Sequence, residues 1–197
     1  MTPNIGAGAG TLAERPQSAY PEKTMNHDDV AYIGLGANVA SAWGPPQATL
    51  TAALEAISER GLTLVGRSRW YRSAPVPPSD QPWFVNAVAA VVADRAPLAI
   101  LELLLAIERR FGRVRGERWA PRPIDLDLLA VGGTVVAAAE TGGRLVLPHP
   151  RLHERAFVLV PLADIAPGWQ HPVLRRDAAA LLVALPPAVR IEVHPLP

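Results

Sequence analysis

An α+β fold, with helices packed against an antiparallel sheet, is what the sequence predicts, and three observations carry that expectation. Short apolar runs of strand length recur at residues 30–35, 62–71, 83–92 and 124–131. Two stretches with apolar residues at helical spacing fall between them. Glycine and proline punctuate the joins, where the chain must turn.

Each element follows from its own residues. Val30-Ala-Tyr-Ile-Gly-Leu reads as the first strand. Gly44-Pro45-Pro46 opens a helix on which Leu50, Ala53, Leu54 and Ile57 share one face, and Gly61 ends it. Residues 62–71 read as one second strand carrying Leu64, Arg67 and Arg69, and the proline-dense segment 73–82 must be a loop. The third strand, 83–92, is apolar on both faces and therefore central. Pro97 suits the first turn of a second helix, because its missing N–H would lack an intrahelical partner there. That helix runs through Leu101, Leu104, Leu105 and Ile107 and stops at Gly112. After the fourth strand, 124–131, Gly132-Gly133 predicts a hairpin with 134–137, followed by an edge strand at 144–147. Helices over 150–162 and 177–185 complete the unit. The β-α-β-β-α-β order is that of a split βαβ, or ferredoxin-like, sheet with its helices on one face. Residues 1–29 are rich in Gly, Ala and Pro without apolar period and read as a disordered tail, leaving 30–197 as a single domain.

Composition narrows the function classes. With 49% apolar residues the chain can build a packed core, and a net charge of +1 argues against a general nucleic-acid or membrane-surface binder. No run approaches the roughly 20 apolar residues of a membrane span, and the first 29 residues lack the pattern of a signal peptide. The absence of cysteine excludes disulfides, thiolate metal sites and a cysteine nucleophile, and fits a cytoplasmic location. Lys23 is the only lysine; every other basic side chain is arginine or histidine.

The strongest chemical signal is Ile124-Asp125-Leu126-Asp127-Leu128. Side chains alternate across a strand, so Asp125 and Asp127 share one face, about 7 Å apart. Two such carboxylates repel unless a cation offsets them, and hard oxygen donors suit Mg²⁺, which keeps its other positions for water and phosphate. The bland alternative is a strand whose exposed face happens to be acidic. The preceding segment weighs against it: Arg109, Arg110, Arg113, Arg115, Arg118 and Arg122 lead directly into the aspartates. Guanidinium groups grip phosphate bidentately and keep their charge. Gly112 and Gly116 make that segment a loop able to close over a ligand, and Trp119 offers a stacking plane.

Two further clusters complete the candidates. Arg151 and Arg155 lie four apart in the predicted third helix, hence on one helical face, with His149 just before it. Phe84 and Asn86 share a face of the third strand, an aromatic plane beside an amide that suits a flat heteroaromatic ring. A phosphate-cradling G-x-x-x-x-G-K-[ST] loop is absent, and Gly34-Leu35-Gly36 lacks the third glycine of a dinucleotide fingerprint, so that match is set aside.

Tyr32-Ile-Gly-Leu-Gly-Ala-Asn38, Tyr71-Arg-Ser73, Asp80-Gln-Pro-Trp-Phe-Val-Asn86, Gly112-Arg-Val-Arg115, Glu117-Arg-Trp119, Pro121-Arg-Pro-Ile-Asp-Leu-Asp127 and Leu147-Pro-His-Pro150 together resemble the 6-hydroxymethyl-7,8-dihydropterin pyrophosphokinase family of folate biosynthesis. The resemblance runs from about Ala31 to Leu185. It implies the ferredoxin-like fold and transfer of the β,γ-pyrophosphoryl unit of ATP to the pterin alcohol, releasing AMP. It also implies two Mg²⁺ ions on Asp125 and Asp127, with Arg113 and Arg122 beside them in the catalytic group. Glu108, Arg115, Arg118, Trp119, Arg122, His149, Arg151 and Arg155 are implied to meet ATP. Phe84 and Phe157 would sandwich the pterin, with Asn86 and the backbone near Ser73 and Val76 reading its edge. Small-molecule substrates and a monomer, with neither nucleic acid nor membrane as partner, are expected.

Several positions depart from the bacterial pattern. The loop between Arg115 and Arg118 is one residue shorter, Ala74 and Pro77 stand where Pro and Gly are frequent, Leu105 replaces a polar residue, and Phe84 lacks a tyrosine hydroxyl. None of these removes a metal ligand. The rival readings are an RNA-binding module on a similar sheet, which would explain the arginines but calls for more net charge, and a non-catalytic sensor, which has no use for paired aspartates.

Overall fold

The computed structural model describes residues 30–92, 94–114, 116 and 119–197, so the predicted tail lies outside the described residues. The elements are β1 (Val30–Ala37), α1 (Pro46–Glu59), β2 (Thr63–Arg67), β3 (Tyr71–Ser73), β4 (Phe84–Val92), α2 (Pro97–Arg110), β5 (Asp125–Val131), α3 (Ala156–Ile165), α4 (Ala178–Ala184), α5 (Pro187–Ile191) and β6 (Val193–Pro195). The main sheet runs β5-β1-β4-β3-β6, and β2 pairs with the far half of β4. Every pairing is antiparallel. Counting β2 and β3 as one interrupted strand, this is the ferredoxin-like order, with the outer strand of the second βαβ half beside β1.

Strand alternation divides the sheet into two different faces. On one, Ile33, Leu35, Ala89, Val91, Ile124, Leu126 and Leu128 pack against Leu50 and Ile57 of α1 and Leu104 and Ile107 of α2. On the other, Val30, Tyr32, Val88 and Leu129 pack against Leu159 and Leu162 of α3 and Leu181 of α4. Helices therefore cover both faces, not the single face expected; the C-terminal third of the chain supplies the second layer. No helix among the described residues is long and apolar enough to cross a membrane.

Three local expectations are corrected. The second strand is broken between Arg67 and Tyr71. At the break the Ser68 N–H still donates to the Val88 carbonyl (2.9 Å), but Ser68 Oγ accepts the Val88 N–H (3.0 Å) and Asp164 of α3 accepts the Arg69 N–H (2.9 Å), so side chains take over part of the ladder. The hairpin expected after Gly132-Gly133 reduces to one bridge, Val136 with Leu147, around a 3-10 turn at Ala138–Thr141. Pro148 has no N–H with which to extend that pairing. The helix expected from residue 150 starts at Ala156. A 3-10 segment, Leu152–Glu154, precedes it, and Arg155 is extended (φ −117°, ψ 105°) as its N-cap. Arg151 and Arg155 thus do not share a helical face. The His149 Nδ1 accepts the Arg151 N–H at 3.2 Å, a local bond at the entry to the 3-10 segment.

Candidate active site

The C-terminal end of β1 opens onto a cleft of about 890 Å³, solvent-filled mouth included, between the sheet and the start of α3. Its walls contain Ser73, Val76, Phe84, Asn86, Trp119, Arg122, Asp125, Asp127, Arg151, Arg155 and Phe157, drawn from segments far apart in the chain. Its floor is made by Gly34 and Gly36, which lie opposite Asp127 and Asp125 in the β1–β5 register. A Cβ built on Gly36 would come within 3.4 Å of Asn86 Oδ1 and 3.8 Å of the Asp125 Cβ. The two glycines set aside as a failed dinucleotide match are therefore the open floor between the amide and the carboxylates. Period-two spacing opposite Asp-x-Asp was the signal that could have found them.

Asp125 and Asp127 project into the cleft from β5 and are held by arginines from three directions. Arg122 Nη1 donates to Asp125 Oδ2 at 2.8 Å, and Arg113 Nη2 lies 3.6 Å from Asp125 Oδ1. Arg155 Nη1 reaches Asp127 Oδ2 at 3.3 Å. Burial, and then the charge of Asp127, push the Asp125 carboxyl above its ordinary range against the opposing pull of Arg122 and Arg113. Arg155 is lowered, chiefly by burial, with Asp127 working the other way. The side chains of Arg113, Arg122 and Arg155 are each under one-fifth exposed (18%, 17% and 18%), so these cations face the carboxylates and not bulk solvent. That orientation counts against a solvated basic strip for RNA.

The donor set fits magnesium. Among the described residues no cluster of three or more His, Cys, Asp or Glu side chains could hold a metal, leaving the two carboxylates as the protein's share. Mg²⁺ binds in this way, through one or two carboxylates with water and phosphate oxygens completing the octahedron.

Around the carboxylates, His149 is lowered mainly by burial, while Asp127 pulls the other way, and Arg155 and Arg151 lower it further. Its Nδ1 is the acceptor, so the neutral ring carries its proton on Nε2. Glu108, 3% exposed, accepts the Leu126 N–H at 2.9 Å and so secures β5 between the two aspartates. Arg151 lies with its guanidinium carbon 5.5 Å from the Trp119 ring. Arg115 and Arg118 lie outside the described residues. At the other end of the cleft, Asn86 Nδ2 donates to Ser73 Oγ at 2.9 Å, both side chains being buried. Arg122 and Arg155 stand 5.8 and 5.7 Å from the rings of Phe84 and Phe157.

The sequence motifs contain Asn38 and Gln81 but give no sign of the contacts these two side chains make. Asn38 exchanges backbone and side-chain bonds with Arg122: its N–H donates to the Arg122 carbonyl (3.0 Å) and its Oδ1 accepts the Arg122 N–H (2.7 Å). Its amide nitrogen donates to Gln81 Oε1 (3.1 Å), and Gln81 Nε2 donates to the Trp119 carbonyl (2.8 Å). Trp119 is left-handed at φ 71°, a conformation that costs about 1 kcal/mol or more for an L side chain, and the Gln81 bond helps to hold it. An asparagine and a glutamine 43 residues apart give no linear sign of meeting.

A ferredoxin-like sheet whose paired aspartates meet converging arginines in one cleft has the chemistry to take a metal-bound polyphosphate. The chain belongs to the 7,8-dihydro-6-hydroxymethylpterin-pyrophosphokinase family, whose model matches residues 32–167. It is 47% identical over 138 residues to the 2-amino-4-hydroxy-6-hydroxymethyldihydropteridine pyrophosphokinase of Methylorubrum extorquens, covering 70% of this chain and 82% of that one. The enzyme of the same name from Pseudomonas aeruginosa is 44% identical over 156 residues, covering 79% and 91%. The crystal structure of Plasmodium falciparum HPPK-DHPS superposes with a TM-score of 0.58 at 14% identity, over 78% of this chain and 44% of that one, a likeness of fold.

Proposed function

We propose that this cleft binds ATP and 6-hydroxymethyl-7,8-dihydropterin side by side and transfers the β,γ-pyrophosphoryl group to the pterin alcohol in folate biosynthesis. The observation that supports this reading best is the convergence of Arg113, Arg122 and Arg155 on Asp125 and Asp127 in one cleft. The hydroxymethyl oxygen forms a bond to the β-phosphorus of ATP. The bond from that phosphorus to the α,β-bridging oxygen breaks, AMP leaves with that oxygen, and the hydroxyl proton is released.

Each residue has a part in that step. Asp125 and Asp127 would hold two magnesium ions, which when bound supply positive charge along the phosphate chain. Arg113, Arg122 and Arg155 exchange carboxylate for phosphate oxygens, already oriented and partly desolvated, and so neutralise charge building on the transferred group and on AMP. His149 donates from Nε2, Arg151 and Trp119 flank the nucleotide, and Glu108 acts through the backbone of β5. Arg115 and Arg118 add cationic reach from the same segment by their chemistry alone. The pterin stacks between Phe84 and Phe157, with Asn86, Ser73 and the backbone at Val76 reading its polar edge.

Incubation with ATP, Mg²⁺ and the dihydropterin alcohol, followed by nucleotide separation, tests the reading. AMP appearing in step with pterin diphosphate is the expected result. ADP, or no alcohol-dependent consumption of ATP, would overturn it.

A further inference from the structure

Trp43 lies outside the cleft, held by a ring stack and a hydrogen-bonded turn. Although 40% exposed, its ring stacks on Phe111 with centroids 4.2 Å apart and planes at 26°. Phe111 itself is only 2% exposed, so the indole forms part of its cover. The turn that presents Trp43 is tightly built. Ser41 and Gly44 exchange backbone bonds of 2.9 and 3.1 Å, and the Trp43 N–H donates to Ser41 Oγ at 3.0 Å. Ser41 Oγ in turn meets Thr49 Oγ1 of α1 at 2.7 Å.

Phe111 is the C-cap of α2 and the start of the arginine-bearing segment. Gly112 is left-handed at φ 84°. The Gly112 N–H donates to the Arg109 carbonyl (3.2 Å) and the Arg113 N–H to the Glu108 carbonyl (2.9 Å), the paired bonds of a Schellman turn. That turn sets the direction in which Arg113 leaves the helix, toward Asp125 at 3.6 Å. The other end of the segment, Arg122, is pinned by Asn38. Both feet of the segment thus rest on the stretch between β1 and α1, one through amide hydrogen bonds and the other through an aromatic stack.

We infer that Trp43 is a positioning residue for the reaction: its stack on Phe111 fixes the turn that aims Arg113 at the carboxylates and the transferred phosphate. The inference rests on the role proposed for Arg113. It follows that Trp43 acts on turnover through one guanidinium, without touching either substrate.

The test is a kinetic cycle of W43A, R113A and the double variant, with W43F alongside. W43A is expected to lower kcat by about three- to tenfold, the range one aromatic stack can supply, while KM for both substrates changes little. W43F keeps a ring over Phe111 and restores most of the rate. In the R113A background, W43A has no further effect. Slow R113A beside wild-type W43A, effects of the two that multiply, or a W43F as slow as W43A would each overturn the inference and leave the role of Arg113 standing. Wild-type turnover in R113A would overturn that role, and the inference with it.

Discussion

The two faces of the sheet use the same strands for opposite ends. Toward α1 and α2, successive inward residues of β1 are Ile33, Leu35 and Ala37, all buried in a continuous apolar core. Toward α3, the same strand presents Tyr32 to the core and then Gly34 and Gly36 to the cleft, while β5 presents Asp125 and Asp127 before Leu129 resumes the packing. One face is committed to burial along its whole length. The other stops halfway and gives way to an open floor, paired carboxylates and the guanidinium groups that answer them. A strand can therefore gain a site by changing alternate residues over one end, because its opposite face keeps it in register.

The contrast can be broken from either side. The largest effect belongs to Asp127→Ala, which is expected to lower kcat by about a thousandfold or more, because a proposed metal ligand and the partner of Arg155 go together. Asp127 is partly exposed, so circular dichroism of this variant should match the unsubstituted chain. Retention of more than a tenth of the activity in magnesium would sink the assignment of the carboxylates as metal ligands. Ile57→Ala attacks the other face, in a wholly buried position at the end of α1 remote from the cleft. Loss of its packing should cost about 2–5 kcal/mol in urea unfolding, with kcat and KM of the folded enzyme unchanged. A marked rise in KM would mean that the two faces are less independent than the strand geometry makes them.

The same division explains what could be read from the sequence. The apolar face is legible because its residues obey simple periods: Leu50, Ala53, Leu54 and Ile57 predict α1, and the run through Ala89 and Val91 predicts a central β4. Asp125 and Asp127 were legible for the same reason, since alternation alone puts both carboxylates on one side. The features that resisted reading depend on contacts between distant segments. Asp164 interrupts the second strand by taking the N–H of a residue 95 positions away, and Asn38 meets Arg122 across 84. The start of α3 departs from the sequence expectation because Arg155, an ordinary helix former, adopts an extended backbone from which its guanidinium reaches Asp127, a tertiary preference that overrides local propensity. Nothing in the chain around Trp43 points to Phe111, the ring on which it stacks.

The smallest expected effect, and the one that sharpens the contrast most, is on stability. Burial and the neighbouring Asp127 hold the Asp125 carboxyl above its ordinary range, more than Arg122 and Arg113 can reverse. Its folded pKa therefore exceeds its unfolded one, and between the two values the native state binds the extra proton. The stabilisation linked to that proton is fully present below the ordinary aspartate value and is lost as pH rises through the raised one. Asp125→Asn removes the titration while keeping an acceptor for Arg122. Without magnesium, the variant should match the unsubstituted chain at the acidic end and exceed it at neutral pH. The difference should appear as a higher Tm for the variant at neutral pH. Magnesium should narrow the gap by stabilising the chain that keeps both carboxylates more than the variant that keeps Asp127 alone. A variant that instead loses stability as pH rises would mean that the arginines outweigh desolvation at Asp125. The acidic end of the sheet would then be a source of stability in its own right, and not a place where stability is given up for chemistry.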